Sequence, residues 1–192
     1  MTLDGAFSHL ATFNTDRLCV RQMRLSDAEA VFEFKSDHLV TDLYGQEPHR
    51  TIDESRAWLQ RRVNDYALRD SIFWVITLKD DDTAIGECCL WNFDPGFKCA
   101  EIGYELHSNY WNKGLMGEAL SEVLAYGFLE MGLHRIEASP FADNIQSQKL
   151  LLKLGFRLEG TLRERNFFHG RFLDQQYYGL LSEEWKDRTS GV

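Results

Sequence analysis

The segment Cys99-Ala-Glu-Ile-Gly-Tyr-Glu-Leu-His-Ser-Asn-Tyr-Trp-Asn-Lys-Gly-Leu-Met-Gly-Glu-Ala-Leu120 sets Gly114 and Gly117 where a strand and a short loop give way to an amphipathic helix. A helix start exposes several backbone N–H groups without intrahelical partners and carries roughly half a positive charge. Glycine removes the side chains that keep a ligand away, so this spacing suits a pyrophosphate. Two better-known phosphate loops do not fit. A dinucleotide fingerprint needs G-x-G-x-x-G after the first strand of its unit, and only Gly114-x-x-Gly117 is present. A Walker loop needs Gly-Lys-Ser/Thr, whereas Lys113 precedes its glycine.

The elements that must position this loop follow from periodicity. Residues 17–24 alternate as a first strand, Ser26-Asp-Ala-Glu29 reads as a capping box before a helix with Ala28, Val31 and Phe32 on one face, and Thr51-Ile-Asp-Glu54 opens a longer helix burying Leu59, Val63 and Tyr66. Residues 72–79 and 83–93 form a hairpin about the turn Lys79-Asp-Asp-Asp-Thr83, and a strand follows at 99–106. Helix 114–131 then separates that strand from one at 134–139, so the two must run parallel. A helix at 144–154 stops at Gly155, and strands near 156–162 and 173–182 flank a loop at His169-Gly170. The expectation is an α+β fold in one domain spanning residues 1–192, with a core at about 14–186, a loose lead-in over 1–13 and a frayed tail from 187.

Composition narrows the function classes. The chain carries 30 Asp and Glu against 21 Lys and Arg, a formal net charge of −9, which disfavours binding nucleic acid through its phosphates and suits a cationic substrate. No apolar run reaches the roughly 18 residues of a membrane span, and the first residues lack a signal peptide's basic start and apolar run, so a cytoplasmic location is expected. The four cysteines lack CxxC spacing and the six histidines are scattered; reduced thiols and no metal site are expected.

Taken together, Glu101-Ile-Gly-Tyr-Glu-Leu106, Tyr110-Trp-Asn-Lys-Gly-Leu-Met-Gly-Glu-Ala-Leu120, Arg135-Ile-Glu-Ala138, Asn144-Ile-Gln-Ser147, Lys153-Leu-Gly-Phe156 and Leu158-Glu-Gly160 resemble the GCN5-related N-acetyltransferase superfamily in order and spacing. With Leu162-Arg-Glu164, Gly170 and Tyr178-Gly-Leu-Leu181, the likeness extends to its branch of ribosomal-protein N-terminal (alanine or serine) acetyltransferases. The superfamily's Arg/Gln-x-x-Gly-x-Gly/Ala falls on Trp111-Asn-Lys-Gly-Leu-Met116, so an aromatic and a methionine replace the usual residues. The resemblance implies a mixed, mostly antiparallel sheet with a splayed parallel central pair and about four helices. It also implies acetyl-CoA as cosubstrate, its pantetheine arm bonded to the backbone around Glu105, Leu106 and His107. Its pyrophosphate would lie on N–H groups of Asn112, Lys113, Gly114, Leu115, Met116 and Gly117, with Asn144 and Lys149 nearby.

Acyl transfer needs a neutral amine. An α-amine of pKa about 7.7–8.0 is tens of per cent neutral near pH 7.5, against about one part in a thousand for a lysine amine. Glu101 and Glu87 are the candidate bases, each of raised pKa if Trp91 or Tyr104 shields it. By resemblance Ser147 lies near the thioester sulfur, and a backbone N–H at Leu106 meets the oxyanion. No Cys, Ser or Lys has an activated nucleophile's partners, so direct attack is expected. Trp91, Phe97 and Phe168 are expected at the substrate mouth, with Glu87 and Tyr104 also facing substrate. The acceptor is an amine, with a protein N-terminus favoured over a polyamine, amino acid or antibiotic amine; a non-catalytic coenzyme A-binding module is the remaining alternative. Monomer and homodimer both stay open, since acceptor and partner choice lie in the loops at 38–50, 93–98 and 164–172.

Overall fold

A computed structural model describes residue 7 and residues 10–189. Eight strands, β1 (Phe13–Asn14), β2 (Leu18–Gln22), β3 (Ile72–Leu78), β4 (Asp81–Asp94), β5 (Cys99–Leu106), β6 (Arg135–Ala138), β7 (Arg157–Phe168) and β8 (Arg171–Leu181), form one sheet ordered β1-β2-β3-β4-β5-β6-β8-β7. Every neighbouring pair is antiparallel except β5 and β6. The α+β class, the mixed sheet and the parallel pair are those expected from the sequence.

Six α-helices stand among the described residues, where about four were expected: α1 (Ala28–Lys35), α2 (His38–Thr41), α3 (Ile52–Ala67), α4 (Leu115–Ala125), α5 (Ile145–Leu154) and α6 (Ser182–Thr189). The additional α2 is a single turn capped by Asp37, whose carboxylate accepts from Leu39 N–H at 2.9 Å. Helix α6 is polar and so carries no apolar stripe, but Trp185 anchors it against Phe128, with ring centres 5.6 Å apart. Its Glu183 and Glu184 open the first turn and Lys186 and Arg188 close the last, matching the helix dipole. The expected frayed tail is therefore helical to Thr189, and residues 190–192 lie outside the described set. Of the expected lead-in, residues 1–6 and 8–9 lie outside it too, while Phe7 is buried against Tyr66 and Phe93.

The two expected capping boxes do not form. Residues Leu25–Asp27 make a 3-10 turn, and Asp27 is buried there, accepting from Arg24 N–H at 2.7 Å and from both terminal nitrogens of Arg21 at 2.8 and 3.0 Å. A buried bidentate Arg–carboxylate pair fixes the entry to α1 better than the exposed Ser26 could. The inward stripe of α1 runs through Ala28, Val31, Phe34 and Lys35, and Phe32 is half-buried beside it. At α3, Glu54 accepts from Arg50 N–H at 2.8 Å instead of Thr51, and Leu59 is buried while Val63 and Tyr66 are half-buried.

The sheet separates two apolar layers. On one face α4 supplies Leu115, Met116, Leu120, Val123 and Leu124, packed with Leu151, Ile102 and Ile136. On the other, α1 and α3 supply Val31, Phe34 and Leu59 over Val75 and Ala84. Helix α4 does not run straight to 131, since Tyr126–Glu130 widens into a π turn where Gly127 meets Ile136, a Cβ there lying 2.9 Å from Ile136 Cδ1. The β4–β5 approach is similarly tight at Gly86. A Cβ there would lie 2.5 Å from the Glu105 carbonyl oxygen and 3.0 Å from Leu106 Cα, both main-chain atoms. Gly86→Ala must push the two strands apart, and we expect a loss of about 1–3 kcal/mol in denaturant unfolding.

Candidate active site

Strands β5 and β6 pair only at Cys99–Arg135, Ala100–Ile136 and Glu101–Glu137. Strand β6 then ends, because Ser139-Pro140 follows Ala138 and proline has no N–H to give a ladder. The chain beyond is tied to β8 instead: Gln176 N–H donates to Pro140 O at 3.0 Å, Ala142 N–H to Asp174 O at 2.9 Å and Gln175 Nε2 to Ser139 O at 2.9 Å. Strand β5 runs on to Leu106 against β4 alone.

His107 N–H donates to Ile85 O at 2.9 Å. Antiparallel ladders alternate, so the main-chain groups of Glu105 also turn toward β4 and those of Tyr104 and Leu106 turn toward the opening. Of the backbone expected at a pantetheine arm, Leu106 therefore faces the gap, and Glu105 and His107 face the ladder. The Leu106 carbonyl is already taken by Trp111 Nε1–H at 2.6 Å, which leaves its N–H. That bond ties the turn after β5 to the strand end.

Past Trp111, Asn112 has φ +59° and Gly114 has φ +75°, a left-handed pair that swings the chain into α4. No side chain caps this start, and the first intrahelical bond is Glu118 N–H to Gly114 O at 3.2 Å. The N–H groups of Leu115, Met116 and Gly117 precede it as free donors beside the positive end of the dipole. A groove of about 430 Å³ runs from this turn along the gap. Asn112, Gly114, Leu115, Met116, Gly117, Glu105, Leu106 and Asn144 line it. Lys113, His107 and Lys149, also expected at the cosubstrate, do not. The Lys113 ammonium lies 5.3 Å from the Tyr110 ring centre, His107 Nδ1 accepts from Asn109 N–H, and Lys149 stands on the exposed side of α5.

Sequence reading missed Arg17. From the start of β2 its guanidinium donates to Glu118 at 2.7 Å through Nε and to the Lys113 carbonyl at 2.9 Å through Nη1. Glu118 also accepts from Thr15 Oγ1 and from Arg17 N–H. Arg17 thus neutralises the one carboxylate in the first turn of α4; burial pushes its pKa up, and the bonds from Thr15 and Arg17 together outweigh that and hold it below its ordinary value. Contacts spanning about a hundred residues leave no local motif to detect.

Across the gap, Tyr104 OH and Ser147 Oγ lie 2.7 Å apart, both lining the groove. Asn144 caps α5, accepting from Ser147 N–H at 3.0 Å and donating to Leu43 O at 3.2 Å, which fixes the serine. Burial pushes the Tyr104 phenol up to about 12, with the Ser147 bond pulling it the other way. Glu101 lies on the opposite face of β5, half-buried in the groove wall, and accepts from Asn92 Nδ2 at 2.7 Å.

The remaining predicted residues scatter. Trp91 lines the groove. Glu87 lies outside it, buried beside Lys35 (3.0 Å), and burial pushes its pKa up to about 8, with the Lys35 charge opposing. Phe97 is 79% exposed at the β4–β5 turn. Phe168 stacks on His169, with ring centres 3.9 Å apart, away from the groove lining.

An opened parallel pair beside an uncapped, glycine-bearing helix start is the architecture of an acyltransferase that takes its acyl group from a long thioester. Comparison with known proteins narrows this class. Residues 17–157 match the family described as acetyltransferase (GNAT) domain. The chain is 37% identical over 167 residues to the uncharacterized N-acetyltransferase YoaA of Bacillus subtilis (strain 168), covering 87% of this chain and 94% of that one. It is 30% identical over 179 residues to the [ribosomal protein uS5]-alanine N-acetyltransferase of Escherichia coli (strain K12), covering 89% and 91%. The crystal structure of a GNAT-family acetyltransferase from Bacillus anthracis superposes with a TM-score of 0.80 at 28% identity, covering 90% of this chain and 99% of that one. The chain belongs to the GNAT family of N-acetyltransferases, enzymes that use acetyl-CoA.

The groove fits that cosubstrate through its outward Leu106 N–H and the free donors at Leu115–Gly117. A Cβ at Gly114 would meet only Arg17 Nη2 at 3.6 Å, so Gly114→Ala strains the backbone without a clash. We expect it to weaken coenzyme A binding by about 10-fold, as a left-handed alanine costs roughly 1–2 kcal/mol. Calorimetric titration with coenzyme A checks this.

Proposed function

We propose that the groove transfers acetyl from acetyl-CoA directly to an amine, and that the α-amine at the N-terminus of a protein or peptide is the favoured acceptor. The observation that carries the reading is the unpaired edge of β5 from Ile102 to Leu106, open beside the uncapped start of α4. Bound there, acetyl-CoA supplies an activated acetyl carbonyl. The donors of Leu115, Met116 and Gly117 hold its diphosphate, and the Leu106 N–H holds the negative charge that develops on the carbonyl oxygen.

The amine arrives past Trp91 and Glu101. An α-amine is substantially neutral near pH 7.5, so Glu101 need only accept the proton released after attack, directly or through water. The Tyr104–Ser147 pair meets the departing sulfur. A thiol of pKa about 8.5 is a stronger acid than a phenol raised to about 12 or a serine hydroxyl, so full proton donation by either would be uphill. The pair steadies the thiolate by hydrogen bonding. The likeness to ribosomal-protein acetyltransferases favours a protein N-terminus as acceptor.

Ser147→Ala should lower kcat by about 100-fold or less, and Tyr104→Phe by a similar factor, with the double variant far from additive because the two hydroxyls act as a unit. A loss above about 10⁴-fold in either single variant would show a true proton donor. A screen of peptides starting in alanine or serine against small amines, read by free thiol release, tests the acceptor. Turnover of the peptides supports the reading. Turnover of small amines alone moves the acceptor to that class, and coenzyme binding with no turnover of any amine sinks the catalytic assignment.

A further inference from the structure

Beside the groove, on the face of α1 and α3, lies a second cavity of about 410 Å³, and Tyr44 and Trp91 line both spaces. Its wall combines the rings of Trp58, Phe73 and Trp91 with the carboxylates of Glu47, Asp70 and Glu87. Glu87 is only 6% exposed, and its Oε2 has no hydrogen-bond partner. Glu87 and Glu105 lie within hydrogen-bonding reach and share a proton when one of them is neutral, so the Glu87 oxygen is left open to a cation only when both are ionised.

Two cations share the wall, Lys35 and Arg62. The Lys35 ammonium bridges Glu87 at 3.0 Å and Glu105 at 2.5 Å, and lies 4.1 Å from the centre of the Trp58 ring. Arg62 pairs with Asp65 at 3.1 Å and covers the Phe73 ring at 4.9 Å. Both are therefore matched by carboxylates from outside the lining, Glu105 and Asp65. With those cations matched, Asp70 and Glu47, the latter also 3.2 Å from His169 Nε2, leave the wall with surplus negative charge, and Glu87 adds to it once it loses its proton. Aromatic faces beside surplus carboxylate attract ammonium and guanidinium groups, and Lys35 on Trp58 already shows that arrangement within the protein.

We propose that this cavity receives a second cationic group of the acceptor, so that the preferred substrates are amines bearing another ammonium or guanidinium beyond the one acetylated. The proposal rests on the amine-acetylation reading of the neighbouring groove. The shared wall of Tyr44 and Trp91 lets one short molecule reach both spaces. A peptide with a basic residue near its N-terminus and a polyamine both carry this chemistry.

A pH dependence follows. Burial raises Glu87 to about 8, so it holds a proton at neutral pH, and an arriving cation favours the ionised form. Attraction for the second cation should grow as pH rises through about 8, until the ligand's own ammonium deprotonates near about 10.4. The groups around Glu87 do not reverse this sign. Lys35 is held charged by Glu105 and Glu87 although burial opposes it, Arg62 keeps its charge, and Glu105 shares the Lys35 ammonium. Tyr44 is raised by burial and stays neutral, and His49 is lowered by burial and stays neutral.

Two matched probe pairs test the proposal: 1,6-diaminohexane against hexylamine, and a peptide beginning Ala-Lys against one beginning Ala-norleucine. Binding is read by tryptophan fluorescence and turnover by thiol release. The dication of at least one pair should win by about 10-fold in Kd and in kcat/KM, by more at about pH 9 than at about pH 7. The pair that shows the preference identifies the source. Glu87→Gln and Asp70→Asn should each shrink the ratio severalfold, and the exposed position of Asp70 keeps the test decisive if the buried substitution unfolds the protein. Equal Kd for monocation and dication in both pairs overturns the proposal. Dication-selective binding without turnover supports the cavity and overturns the acetylation reading instead.

Discussion

A proline three residues beyond the last parallel pair decides where this sheet opens. Because Pro140 cannot donate, and because Ser139, Pro140 and Ala142 bond to β8, the segment after β6 leaves β5 with one edge unpaired. Buried main-chain groups must find partners, so an edge of this kind, enclosed between α4 and α5, is built for a ligand that brings amides or carbonyls of its own. The turn from Trp111 to Gly114, the free donors of α4 and the Tyr104–Ser147 pair are all placed relative to that edge.

The division of labour between the faces of β5 follows from its two-residue period. Tyr104 points to the helices α4 and α5, the side proposed for the thioester end, whereas Glu101 and Glu105 point to the side of α1 and α3. A reaction joining two substrates thus draws its parts from one strand, and neither needs to displace the other. The buried charges of Lys35, Glu87 and Glu105 sit on the second side, where removing any one partner would strand another.

Much of this was legible in the sequence, and the limits have physical causes. The parallel pair followed from a helix lying between two strands, and Gly114 marked the turn into α4 because its left-handed backbone there favours a residue without a side chain. The first capping box failed because Arg21, six residues before Asp27, captures that carboxylate, and the second because Glu54 turns back to the Arg50 N–H; a spacing rule cannot see either partner. Helix α6 has no apolar period, since one tryptophan holds it. Arg17 and Glu118 meet across the fold, and Lys35 reads as an ordinary helix residue until the fold sets Glu87 and Glu105 against the inward stripe of α1. Residues chosen for aromatic character alone, Phe97 and Phe168, stand at loop tips away from the groove.

The bond from the Trp111 indole to the Leu106 carbonyl has a wider consequence. It makes the end of β5 part of the same corner as the turn from Trp111 to Gly114, so the strand end and the start of α4 are held together. Anything that binds the folded chain alone raises its stability by RT ln(1 + [L]/Kd), about 2.7 kcal/mol at a hundredfold excess over Kd. A bound acyl donor would thus make the whole chain harder to unfold, not only the corner that it touches.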